Sequence, residues 1–170
     1  NDRSTLKTNV QDMVTTYNDL LTLFDNFTAT DSDAEMAGAL SEDGALVRFL
    51  KDKIRSTVFA DSSTASGNMS AMRDLGVSIN RYGTIIFTEA TYDAAVLSNY
   101  DDVVTMLTAD TSNANLYAGS NKGLAQDIAT SLIDLTDATG VVTLRETTAK
   151  TDKTEYEEEL VKLEKKMDRI

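Results

Sequence analysis

The 170-residue chain contains no cysteine, histidine, proline or tryptophan. Without Cys there is no disulfide, thiol nucleophile or thiolate metal site, and without His the commonest imidazole base and metal ligand is missing. Most familiar hydrolase and metalloenzyme schemes are thereby closed. Average proline usage near 5% would put about eight in a chain of this length, so their absence favours long uninterrupted helices. No apolar run approaches the ~20 residues that a membrane-spanning helix needs. The sequence begins at Asn1 without an initiator Met or the basic and apolar stretches of a signal peptide, and Ile170 ends a periodic stretch with no Gly, Asn or Pro stop behind it. The expectation is a piece of a longer chain whose targeting information lies elsewhere.

What is present is acidic: 28 Asp and Glu against 16 Lys and Arg give a net charge of −12. That field repels phosphate backbones and anionic lipid, so neither nucleic acid nor a membrane surface is an expected partner. The hydrophobic content of 41% supplies one core. A chain of this size is one domain, or one domain with extended helices, and buries about two thirds of its unfolded surface.

Helical periodicity dominates. From Ser4 to Phe27 the residues Leu6, Val10, Met13, Tyr17, Leu20, Phe24 and Phe27 recur at steps of four and three, and Val14, Leu21 and Leu23 widen this seam toward a bundle face. A loop over 28–40 follows, then Ser41, Glu42 and Asp43 predict a capped helix start. The second helix, roughly Glu42 to Phe59, carries Leu46, Val47, Phe49, Leu50, Ile54 and Val58 on one broad face. A Ser/Thr/Gly linker is expected from Asp61 to Ser70. Leu75, Val77 and Ile79 alternate with polar or small residues, and the run Thr84 to Phe87 completes a β-hairpin with Gly83 at a positive-φ turn position. Thr88 is a candidate cap for a short helix through Leu97, and Asp101 with Asp102 for a further one carrying Val103, Val104, Met106 and Leu107.

After a polar loop over 108–121, Leu124, Ile128, Leu132 and Leu135 predict a further helix that Gly140 ends. Val141, Val142 and Leu144 read equally as an extended turn or as the beginning of the last helix. From about Thr151 that helix shows Tyr156, Leu160, Leu163, Met167 and Ile170 at four-three spacing. The bundle is expected to consist of the first, second, fourth and last helices.

Chemistry-bearing patterns are few. Asp31, Asp33, Glu35 and Glu42 occupy the first, third, fifth and twelfth places of a calcium loop, but Met36 stands where its sharp turn needs Gly. The simpler reading is a solvated acidic loop. Glu155, Glu157, Glu158 and Glu159 read as a charged helix face near an N-terminus that favours acids. No nucleophile elbow or phosphate-cradling glycine loop accompanies the many Ser, Thr, Asp and Lys residues. No catalytic residue, metal or cofactor is expected.

The ordered array Leu75, Gly76 and Val77, then Gly83, Thr84 and Ile85, then Phe87, Glu89, Asn99, Val103 and Leu107 resembles the C-terminal region of flagellar filament cap proteins, also called hook-associated protein 2 or FliD. Upstream, Val14 with Tyr17, Asn18, Asp19 and Leu20, and Gly38, Leu40, Asp43, Val47 and Arg48, resemble the same family in the same order. Thr88 departs from a common Asp and Leu107 from a frequent Phe. The resemblance implies a secreted structural protein of the bacterial flagellum that caps the filament tip and promotes flagellin polymerisation. Its implied partners are flagellin, other copies of itself in a ring-like homo-oligomer, and the hook-filament junction protein. The alternatives are a hook-filament junction protein itself, or a host-surface adhesin module for mucin or glycans. The expected fold is mainly α, a helical bundle with coiled-coil-like seams and one β-hairpin. Residues 1–150 are expected to form the bundle, with the hairpin near 75–87. Residues 151–170 are expected to begin a long C-terminal coiled-coil helix that packs on it.

Overall fold

The computed structural model describes residues 3–31, 37–65, 67–108 and 122–168. The elements are helix α1 (Arg3–Thr28), a 3-10 turn (Ser41–Asp43), α2 (Gly44–Val58), a second 3-10 turn (Met72–Leu75), strands β1 (Val77–Ile79) and β2 (Ile85–Phe87), and helices α3 (Glu89–Thr108), α4 (Gly123–Thr136) and α5 (Val141–Met167). The architecture is mainly α with one antiparallel hairpin, as the periodicities predict. Two compact units divide within α4, Asn1–Ile128 and Ala129–Ile170.

In the first unit, α1 buries Val10, Val14 and Tyr17 against a core completed by Val58, Met72, Leu75, Val77, Ile85, Tyr92, Val103, Met106 and Leu124. The alternating four-three steps place one stripe of α1 inward, which is why a helix with many polar residues stays docked. α3 belongs to this core as well, a departure from the bundle expected of the first, second, fourth and last helices. Its two halves meet at Asn99, whose φ of −137° and ψ of 39° break the helix. That break turns Tyr92, Ala95 and Val96 on one side and Val103, Met106 and Leu107 on the other into the same core. The two short helices read from the sequence are these halves.

Four local expectations change. Ser41 does not cap α2; it opens a 3-10 turn in which no side-chain cap is made, and Asp43 takes the N-cap position. Phe49 lies on the exposed side of α2, because Val47, Leu50 and Val58 define the inward stripe. Leu75 closes the second 3-10 turn rather than a strand, and it is fully buried. The stretch expected as a linker, described over 61–65 and 67–70, is a strap tied down at Ser62 and Met69, which are buried, while most of its other described residues are exposed.

The hairpin pairs Val77 with Phe87, Ser78 with Ile86 and Ile79 with Ile85. Asn80 N–H donates to Thr84 O at 2.9 Å and Gly83 N–H to Asn80 O at 3.0 Å, while Gly83 has the positive φ of 86° that the turn requires. The second unit is the distal part of α4, a turn in which Asp137 Oδ1 accepts from Thr139 N–H and Oγ, and α5, which Gly140 caps. Val141, Val142 and Leu144 therefore begin the last helix, ten residues before the expected Thr151. The polar stretch 109–121 lies outside the described residues.

Candidate functional site

Of the residues that carry the family resemblance, those of α1, the hairpin and α3 meet at the junction of these elements. Tyr17 and Val14 pack in the core with Leu75, Val77, Ile85, Val103 and Leu107, and Phe87 lies against it. Asn18, one residue beyond Tyr17, faces the hairpin edge. Its Nδ2 donates to Ile85 O at 3.0 Å, and its Oδ1 accepts Ile85 N–H at 2.9 Å. Ser78 and Ile86 face each other between the ladder bonds Asn80 N–H to Thr84 O and Thr88 N–H to Gly76 O. The backbone groups of Ile85 therefore point away from β1, and a side-chain amide satisfies both.

Charge reinforces the same junction. Lys7 Nζ lies 3.1 Å from Glu89 and 3.0 Å from Asp93, and these hydrogen bonds raise the Lys7 pKa. Gly76, at φ 75°, brings the chain out of the 3-10 turn into β1. The residues leading into that turn are held by Asp74, whose Oδ2 accepts from Ser70 N–H at 2.8 Å, Ser70 Oγ at 2.9 Å and Ala71 N–H at 3.1 Å. Burial works to raise the Asp74 pKa, but these bonds and the Arg73 charge together hold it below its ordinary value. Burial raises the phenols of Tyr17 and Tyr92.

The calcium-like pattern is not brought to a describable site, since Asp33, Glu35 and Met36 lie outside the described residues. The structure keeps Glu155, Glu157, Glu158 and Glu159 exposed along α5, with Lys162 3.9 Å from Glu158 and Lys153 3.7 Å from Glu157. Apolar surface that invites partners is of another kind. On α5, Tyr156, Leu160, Leu163 and Met167 are all more than half exposed, and on the hairpin Tyr82 and Ile86 face outward. The hydroxyls of the stretch expected as a linker meet backbone carbonyls of α3, Ser62 with Met106 O and Thr64 with Thr105 O.

The model of the family described as flagellar hook-associated protein 2 C-terminus matches residues 1–170. The chain belongs to that family. A B-type flagellar hook-associated protein 2 of Pseudomonas aeruginosa is 29% identical over 151 residues, covering 86% of this chain and 29% of that protein. A flagellar hook-associated protein 2 of Vibrio cholerae is 23% identical over 146 residues, covering 85% and 20% respectively. The chain thus spans less than a third of either relative. The fold is similar to that in the crystal structure of the flagellar cap protein FliD D1-D2-D3 domains from Escherichia coli. The TM-score is 0.64 at 20% identity, over 85% of this chain and 36% of that one. In this chain the residues of that array in α1, the hairpin and α3 are mostly core, turn and edge-capping positions.

Proposed function

We propose that this chain is the C-terminal part of a flagellar filament cap, a structural protein that sits at the filament tip and promotes flagellin polymerisation. The observation that carries the reading is the family match along the whole chain. In this reading the protein is secreted and has no catalytic role. It contacts flagellin, neighbouring copies of itself in a ring, and the hook-filament junction protein. The polar faces around the junction of α1, the hairpin and α3 meet those partners, and residues 151–170 belong to a long coiled-coil helix.

The exposed four-three seam of α5 supports that last element, because a stripe at this spacing with charged flanks is complementary to another helix. Deleting the parent gene tests the reading. The expected result is loss of filaments with unpolymerised flagellin released into the medium, restored by the intact gene. Normal filaments after deletion would overturn it.

A further inference from the structure

The strap ties the end of α3 to the start of α4. At one side Ser62 Oγ donates to Met106 O at 2.6 Å and Thr64 Oγ1 to Thr105 O at 2.7 Å. These are carbonyls near the end of α3, a place where intrahelical partners run out. Between them stands Ser63, turned toward α4. Its backbone N–H donates to Asp127 Oδ2 at 2.9 Å and its Oγ to Asp127 Oδ1 at 2.8 Å, so both carboxylate oxygens are engaged by one residue. Bonds to an ionised acceptor are the stronger kind.

The same turns of α4 border a gap in the packing. A cleft of about 320 Å³ lies among Leu6, Val10 and Met13 of α1, Leu107 of α3, and Leu124 and Ile128 of α4. At the start of α4, Leu124 is fully buried and Ile128 half-buried, and Gly123 lies so close to the backbone of Leu107 and Thr108 that a Cβ there would collide with it. Side chains bordering a gap lose dispersion contacts that a filled core provides. The Ser63–Asp127 bonds add a directional attachment beside this packing. The end of the first compact unit, Ile128, immediately follows the clasped carboxylate.

We propose that the strap is a latch: the Ser63–Asp127 clasp holds the first turns of α4 closed over the apolar cleft, and its release lets that segment open as a local unit while the rest of the core stays folded. Opening exposes the cleft wall on α1 and frees the helix that leads into the second unit. Elements with few buried contacts are the ones that open below the global unfolding free energy.

Amide hydrogen exchange of the 170-residue chain tests this. Asp127→Ala removes both acceptors and is expected to accelerate exchange of amides 127–130 by about ten-fold, with Val103 and Met106 changed less than about two-fold, the scale of losing charge-assisted hydrogen bonds at one place. Ser63→Ala keeps the backbone donor and perturbs folding less; it should accelerate the same amides by about three-fold. Joined to Asp127→Ala it should add almost nothing, since the two residues share one interaction. Equal acceleration throughout α1, α3 and α4 would overturn the latch, because Asp127 would then serve global stability alone. Unchanged exchange at 127–130, or additive effects of the two substitutions, would overturn it equally.

Discussion

Asn18 of α1 closes the outward edge of β2 by pairing its side-chain amide with both backbone groups of Ile85, at 2.9 and 3.0 Å. The arrangement imitates one rung of a third strand. A two-stranded hairpin is marginal in water, and its edges invite further pairing. Here a helix side chain takes up the edge, while Val77 and Ile85 face the core beneath it.

The first prediction concerns this rung. Asn18→Ala removes two hydrogen bonds and leaves the polar groups of Ile85, a residue only 3% exposed, without these partners. A loss of about 1–3 kcal/mol is expected, the usual range for stranding a buried polar group. Urea unfolding measures it, and the Ile85 amide should lose exchange protection more than the amides of α3. Unaltered unfolding would mean that water replaces the side chain without loss.

The second prediction separates two glycines that share a backbone conformation. Gly83, at φ 86°, has open space where a Cβ would stand, whereas at Gly76, φ 75°, a Cβ would come within 2.7 Å of Thr88 O and 2.8 Å of Thr91 Cβ. Gly83→Val is therefore limited to conformational strain, about 1–3 kcal/mol. Gly76→Ala carries strain and a collision with backbone together, and should destabilise more than Gly83→Ala in the same urea assay. The reverse order would show that the hairpin tip, not the turn before β1, is the constrained site.

The stripes of α1 and of the first part of α4 were legible because a helix repeats its inward positions every three or four residues, and nothing else in those segments competes. The hairpin was legible from Gly83 and the runs beside it. Leu75 was not, since a buried 3-10 turn and a buried strand both place an apolar residue two before Val77. Ser62, Ser63 and Thr64 were misread for a related reason. A hydroxyl in sequence has no visible partner, and the carbonyls of Thr105 and Met106 that give it one are some forty residues away. Asn18 was noticed as part of a resembling motif, but its role depends on Ile85, 67 positions on.

The third prediction is a pH dependence. The Asp74 pKa is depressed below its ordinary 3.8 in the folded chain. The unfolded chain then binds the proton more readily, so Asp74 contributes stability above that ordinary value and the contribution is lost as pH falls through the folded one. Asp74→Asn should be less stable near neutrality, and its stability should approach that of the unaltered chain in acid, between about pH 4 and pH 2. A series of urea midpoints provides the check. Parallel curves would show that the hydrogen bonds from Ser70 and Ala71 do not distinguish the two protonation states.

The last prediction bears on α5, whose residues 151–170 are expected from the sequence to pack on the bundle; Met13, Tyr17 and Leu20 of α1 would be neighbours of Leu160 and Leu163 in that arrangement. The two leucines are 56% and 55% exposed, and α5 has no buried residue among those described. Substitution of exposed positions rarely moves stability by more than about 0.5 kcal/mol. Leu160→Glu with Leu163→Glu should therefore leave the unfolding of the 170-residue chain and the exchange protection of α1 nearly unchanged. In the full-length protein the outcome should differ, because a seam that meets a partner helix would then carry two charges with no counter-charge in an apolar contact. Loss of motility together with a normally folded fragment is the expected pair of results, measured by swimming in soft agar and by hydrogen exchange. Faster exchange in α1 of the fragment would instead show that residues 151–170 pack on the first helix. Full motility of the doubly substituted protein would remove this seam from the list of partner surfaces altogether.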